Sequence, residues 1–276
     1  MDADLLATLG DTALDGGDSA AAEEHYTQAL RASPGLLRAH VGLAKVRLPG
    51  RGYLWWLQRL HDTLRPATYL EIGVSSGESL TQARAGTLAI GVDPLPRIVP
   101  RPPVTETCLF PEASDDFFAR RALDRVLGER PLDFGFVDGL HQFEQALRDL
   151  LNLEAYCGPR SLIAIHDTLP LDELSQRPVC CSGFWTGDVW RTVLCLKTLR
   201  PDLDVFTIPA YPSGLTLVQG FGPPRRQPAW PDAAAVARIG ALTYEEVEKS
   251  LASQLEVVAN DWDEIEARLR RGGVLR

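Results

Sequence analysis

The chain has no run approaching ~20 uninterrupted apolar residues, and its opening, MDADLLATLGD, is acidic where a secretion signal would be basic. Neither a spanning helix nor a cleaved leader is expected, and a cytoplasmic location is. Positive charge is also short: 28 Lys and Arg against 37 Asp and Glu give a net charge of −9 and a pI near 5.1. Nucleic acid and anionic membrane both demand a basic face that displaces counterions, so neither is an expected partner. The five cysteines (Cys108, Cys157, Cys180, Cys181, Cys195) are odd in number and include no C-x-x-C pair. They imply no disulfide framework and no zinc site, and reduced, mostly buried thiols are expected.

What is present suffices for a large folded unit. The 276 residues, 45% of them apolar, can build one α/β domain plus a small accessory. Residues 69–93 read YLEIGVSSGESLTQARAGTLAIGVD. An apolar strand enters an acidic-then-glycine turn, a helix follows, and a second strand ends on Asp93, which is the opening βαβ unit of a Rossmann-like sheet. A dinucleotide site needs G-x-G-x-x-G so that the backbone can approach a pyrophosphate. Here the run is Gly73, Val74, Ser75, Ser76, Gly77, Glu78, without the pyrophosphate glycines. Glu71, just before the turn, would repel a phosphate but suits an ammonium-bearing ligand, and Asp93 is placed to accept hydrogen bonds from ribose hydroxyls. A cationic, phosphate-free nucleoside fits this turn better than NAD.

Strands are expected at 68–74, 88–93, 105–110, 132–138, 161–167, 203–208 and 214–220, and helices at 76–85, 114–128, 140–157 and 187–199. The alternation predicts an α/β fold with a Rossmann-like, seven-stranded, doubly wound sheet, its last two strands joined by PAYPSG as an antiparallel edge hairpin. DPLPRIVPRPP, between the second and third strands, is too rich in proline for a crossover helix and reads as a loop. This domain spans 53–222. Before it, residues 1–49 form a small helical segment; after it, 223–276 are a linker, RRQPAWPDAAAV, and an amphipathic helical extension with Thr243 as candidate N-cap. YLWWLQRLHDTL reads as a helix leading into the first strand, with Trp55 and Trp56 in the core. The terminal helices are candidates for a homo-oligomer interface.

The densest polar cluster is FGFVDGLHQFEQALRDL followed by LIAIHDTLP. Asp138 and Asp167 end neighbouring strands about 4.8 Å apart, both opening on the cofactor crevice. Converging carboxylates suit either a hard divalent cation such as Mg²⁺ or substrate hydroxyls, and the cation is preferred. His141, three residues after Asp138, is the candidate general base, with a helix cap or a carboxylate partnership as its alternative; His166 either joins the site or faces into the sheet. FPEASDDFF follows the third strand, so Ser114 and Asp115 either contact the adenine or serve as helix N-cap and first turn. SGFWTGDVWR brings Trp185, Asp188, Trp190 and Arg191, whose aromatic faces and polar groups suit a sugar, although core packing is the alternative for Trp190.

The turn at 73–78 with Asp93 resembles motifs I and II of class I S-adenosylmethionine (SAM) methyltransferases. Within them, Asp-Gly-x-His at 138–141 and His-Asp at 166–167 resemble the metal-dependent sugar O-methyltransferases of the macrocin and mycinamicin type, over residues 68–220. That resemblance implies SAM bound by Glu71, Gly73, Ser75, Gly77, Asp93, Ser114 and Asp115. It implies Mg²⁺ on Asp138 and Asp167, with His166 standing where the group has its first acidic partner and Asp188 as a further candidate ligand. His141 becomes the base, and the acceptor is a small hydroxylated molecule, a sugar or glycoside. Residues 3–34 resemble a tetratricopeptide repeat, with Leu6, Leu9, Gly10, Ala22, Tyr26, Ala29 and Pro34 at or near its marked positions, and a second repeat begins at Leu37 but stops at Pro49. One and a half repeats cannot bury their own face, so this segment must dock on the same chain, on a twin subunit or on another protein. The competing functions are an inactive SAM-binding interaction protein and, less favoured, an NAD-dependent oxidoreductase.

Overall fold

The computed structural model describes residues 2–97 and 106–276. Most of the proline-rich loop, and residue 105 of the third expected strand, lie outside the described residues.

Seven short strands form one sheet: β1 (Thr68–Ile72), β2 (Leu88–Val92), β3 (Glu106–Phe110), β4 (Leu132–Val137), β5 (Cys157–His166), β6 (Asp204–Ile208) and β7 (Leu215–Gln219). Their spatial order is β3-β2-β1-β4-β5-β7-β6, with β1 to β5 parallel. The antiparallel edge is the β6–β7 hairpin, whose reversed strand β7 lies between β5 and β6. The chain changes direction between β1 and β4, and there the C-terminal strand ends open a crevice.

The strands are apolar on both faces because both are covered. Leu70, Ile72, Ile163 and Ile165 point to one side, into a core shared with α5 (Ser114–Ala119), α6 (Ala122–Leu127), α7 (Phe143–Glu154) and α8 (Trp190–Leu199). Tyr69, Phe134, Phe136, Leu162 and Ala164 point to the other, against Trp56, Leu57 and Leu60 of α4 (Tyr53–Leu64) and Ile265 and Leu269 of a C-terminal helix at Trp262–Arg271. Trp56 is fully buried, as expected, but Trp55 is 36% exposed and lies outside the core.

The N-terminal segment folds as α1 (Ala3–Asp15), α2 (Ser19–Ala32) and α3 (Leu37–Arg47). Asp18 caps α2 by accepting from the Ala21 amide at 3.0 Å. The Tyr26 ring fills the space between Gly10 and Gly42, where a Cβ would overlap it, and its hydroxyl donates to Asp11 at 2.6 Å.

Several expected elements are reshaped. The helix expected at 76–85 shrinks to one 3₁₀ turn, Leu80–Gln82, because Ser75 and Gly77 both take left-handed backbone and Gly77 donates back to Val74. The helix expected at 114–128 breaks at Arg121, also left-handed, into α5 and α6. The supposed linker holds α9 (Ala233–Gly240), started by Asp232 accepting from the Ala235 amide at 2.9 Å. Thr243 forms a full capping box with Glu246, yet the extension it opens is divided into α10 (Tyr244–Val247), α11 (Leu251–Gln254) and α12 (Trp262–Arg271). Between α11 and α12 the chain runs extended along edge strand β6, exchanging backbone hydrogen bonds with Thr207 and so covering that edge. Cys157 and Cys195 are buried, but Cys180 and Cys181 are exposed and Cys108 is intermediate, so the thiols are not mostly buried.

No helix among the described residues is long and apolar enough to cross a membrane.

Candidate active site

The crevice above the C-terminal ends of β1, β2, β4 and β5 holds a cavity of about 730 Å³. Gly73 permits its shape: at φ +88° any Cβ there would overlap the Asp138 carbonyl, so only glycine lets the ends of β1 and β4 meet.

Asp138, at the end of β4, and Asp167, just beyond β5, face each other across this floor, as adjacency of the two strands dictates. Asp167 has left-handed backbone (φ +57°), a conformation costly for most side chains and found where geometry is fixed by function. Ser213, in the β6–β7 turn, donates to Asp167 Oδ1 at 2.5 Å. His166 Nδ1 lies 3.1 Å from Asp138 Oδ1 and 3.4 Å from Asp167 Oδ2. Its ring packs on Tyr53, 4.1 Å between centroids. His141 Nε2 lies 3.5 Å from Asp138 Oδ1 and 3.1 Å from Asp167 Oδ2, while its Nδ1 lies 2.9 Å from the Trp185 carbonyl. A carbonyl can only accept, so Nδ1 carries the hydrogen and Nε2 is the nitrogen turned to the carboxylates.

The neighbouring charges set the ionisation of both imidazoles and of Asp167. Burial disfavours the charged imidazoles, but the neighbouring carboxylates outweigh it and raise His141 to about 9 and His166 to about 10. Burial also opposes the Asp167 carboxylate, yet both histidines hold it well below the usual range. Oxygens of Asp138 and Asp167 and a nitrogen of His141 all lie within 4.8 Å of one another. The two carboxylates are the hard oxygen donors that a divalent cation such as Mg²⁺ takes. His166 is instead bonded to Asp138, with its far nitrogen 3.4 Å from Ser213 Oγ. Asp188 is also engaged elsewhere: it accepts from the Phe143 amide and pairs with Arg191, both at 2.7 Å.

On the other side of the cavity, Asp93 Oδ2 accepts from the Val74 and Ser75 amides at 2.9 and 2.8 Å, and Oδ1 from Leu95 at 2.7 Å. It ties the turn after β1 to the end of β2. Gly73, Ser75, Asp93, Ser114 and Asp115 line the cavity. Glu71 and Gly77 are not among its lining residues: Gly77 shapes the turn, and Glu71 is fully buried, accepting from Tyr69 and Ser79, each at 2.6 Å. Burial pushes Glu71 up to about 8 against those two hydrogen bonds. Ser114 is the first residue of α5 rather than its N-cap, which is Ala113; its Oγ accepts from Gln145 at 3.1 Å. Trp190 is fully buried, in the core, whereas Trp185 lines the cavity and stacks on His141 at 5.0 Å.

Tyr53, Gln145, Asp149 and Ser213 also line the cavity and escaped the sequence reading. Asp149 is 1% exposed, and burial raises it to about 6 against hydrogen bonds from Ser114 and Gln145. Its signal was available: it is an acidic side chain on the apolar stripe of α7, one turn after Gln145. Nothing in sequence ties Tyr53 to His166 or Ser213 to Asp167, because only the packing of α4 and of the hairpin turn brings them together.

Residues 70–168 match the family model described as a methyltransferase domain. No curated protein matches the chain. Among solved structures, the chain is similar to the O-methyltransferase TomG from Streptomyces achromogenes, involved in tomaymycin synthesis and in complex with SAM (16% identity, 62% of this chain and 80% of that one, TM-score 0.46). It is also similar to the SAH-bound methyltransferase PaMTH1 of Podospora anserina (17%, 65% and 85%, 0.41). A third is an O-methyltransferase from Bacillus cereus in complex with SAH (15%, 71% and 90%, 0.40).

Proposed function

We propose that this protein is a class I SAM-dependent O-methyltransferase that methylates a hydroxyl of a sugar, glycoside or other polyhydroxylated small molecule, assisted by a divalent cation such as Mg²⁺. One observation carries the reading of the donor. The cavity is lined by Glu78, Asp93, Asp115, Asp138, Asp149 and Asp167, and by no lysine or arginine among the described residues. Such a surface favours a ligand bearing ammonium and sulfonium groups and opposes the phosphates of a dinucleotide. Its position at the switch point of the sheet, and the methyltransferase-domain match over 70–168, support the same choice.

SAM bound there supplies a methyl group on a positively charged sulfur to an oxygen nucleophile. Gly73 and Ser75 bring backbone to the ligand, and Asp93, itself lining the cavity, holds that turn. On the acceptor side, His141 is the proton acceptor: Trp185 fixes its ring through Nδ1, and a cation that takes up the charge of Asp138 and Asp167 would lower the raised pKa of the imidazole and free Nε2 to take the hydroxyl proton as the oxygen attacks. Asp138 and Asp167 would hold the cation, whose Lewis acidity lowers the pKa of the hydroxyl. Ser213 and His166 keep those two carboxylates in place. The Trp185 face beside His141 suits the apolar side of a sugar ring.

Calorimetry with S-adenosylhomocysteine and with NAD, each with and without Mg²⁺, tests the reading. Binding of the first and not the second is expected; tight NAD binding would replace this function with an oxidoreductase.

A further inference from the structure

The cavity wall that fixes His141 is not held by the sheet. Residues 168–189, between β5 and α8, fold over the acceptor side as a loop containing Phe184, Trp185 and Thr186, all of which line the cavity. Gly187 at φ +58° lies so close to the His141 carbonyl that a Cβ there would overlap it. The loop is anchored from the N-terminal segment.

His40 of α3 is fully buried under this loop. Its Nε2 lies 2.9 Å from Asp172 Oδ2, and its ring stacks on Phe184 with centroids 5.2 Å apart and planes 4° from parallel. Asp172 Oδ1 accepts from the Ser175 amide at 2.8 Å. The Ser175 carbonyl in turn accepts from the amides of Thr186 and Gly187 at 2.9 and 3.1 Å. His40 therefore grips both neighbours of Trp185: Phe184 by stacking, and Thr186 through Asp172 and Ser175. Between them, the Trp185 carbonyl is the partner of His141 Nδ1. Arg47, two turns along α3, adds a hydrogen bond to the Leu171 carbonyl at 2.8 Å.

We propose that His40 is a positioning residue, by which the N-terminal helical segment fixes the Trp185 carbonyl and so the orientation of the His141 ring. The segment is a brace built into the active site, not an appendage beside it. The proposal rests on the reading of His141 as the proton acceptor for its catalytic consequence; the geometry it asserts does not require methyl transfer.

The test uses full-length protein labelled with ¹⁵N-histidine, together with amide hydrogen exchange. In wild type, the His141 Nδ1 proton gives a hydrogen-bonded imidazole signal, identified by its loss in His141→Ala. In His40→Ala that signal should disappear, and exchange across residues 172–187 should rise roughly ten- to hundredfold, the equivalent of one charge-assisted hydrogen bond. Strands β1 and β4 should keep their protection. His40→Gln, which retains a donor for Asp172, should restore part of both effects. An unchanged His141 signal in a variant whose loop exchanges faster would overturn the proposal. If His40→Ala loses protection throughout, Asp172→Ala decides: local opening with loss of the signal supports the brace, and a wild-type pattern overturns it. Failure of the methyl-donor reading would appear separately, as absence of S-adenosylhomocysteine binding in wild type.

Discussion

At the residue scale, two buried acids, Glu71 on β1 and Asp167 just beyond β5, behave oppositely, and their partners are the reason. Asp167 is surrounded by two imidazoles and stays ionised, whereas Glu71 has only hydroxyl partners and is pushed up to about 8 from an ordinary 4.5. Between those two values the folded state binds more protons at Glu71 than the unfolded chain does. Its contribution is fully present below pH 4.5 and is lost as pH rises through 8, at about 1.4 kcal/mol per pH unit. Glu71→Gln should remove this slope, so that the variant melts above wild type near pH 8.5 and not near pH 4.5. Parallel melting curves across that range would show that Glu71 ionises freely in the fold. For catalysis, His141→Ala should lower turnover roughly 10²- to 10⁴-fold with S-adenosylhomocysteine affinity nearly intact, since a general base acts in the transition state. Asp138→Ala should remove both activity and its dependence on added cation. Full wild-type activity in a chelator would leave the two aspartates as acceptors of substrate hydrogen bonds.

At the scale of elements, the strands were legible because each is a short apolar run ended by Gly, Pro, Asp or charge, and because alternation with helices admits few topologies. Asp138, His141 and Asp167 converge for the same reason: adjacent parallel strands end on one edge. What local pattern could not supply were the backbone reversals. Ser75 and Arg121 take left-handed conformations with no glycine to announce them, and so a helix was expected where the chain turns. Glu71 was expected in the crevice from its distance to the turn, but the two-residue period of β1 places it with Tyr69, on the face covered by α4. The loop at 168–189 has no period at all, and its fit depends on one glycine. Gly187→Ala would put a Cβ into the His141 backbone at a φ that L residues avoid. It should displace the loop and cut turnover at least tenfold, with the far-ultraviolet circular dichroism of the sheet and helices unchanged; retained turnover would mean that the loop adjusts without moving His141.

On the scale of the whole molecule, the N-terminal segment shows how three short helices are held when they have too little face to bury alone. Its own small core of Leu6, Ala7, Ala22, Tyr26, Ala29, Ala39 and Leu43 is closed by residues of the segment itself, and a second set of its side chains docks on the rest of the chain. Ala44 and Leu48 belong to the main core beneath the sheet, and His40 is buried against Phe184. Deleting residues 1–48 would uncover that surface and take His40 away from the Asp172 carboxylate and the Phe184 ring. Losing two core side chains and a part-buried hydrogen bond costs several kcal/mol, which for a chain of this size is a drop of roughly 5–15 °C in melting temperature. The truncated protein should also be less soluble, because the exposed patch is apolar. Differential scanning calorimetry with light scattering measures both. A truncated form that melts with the full-length protein, at the same mass in solution, would instead mean that the segment's contacts with the sheet domain are weak and that its apolar face serves an external partner.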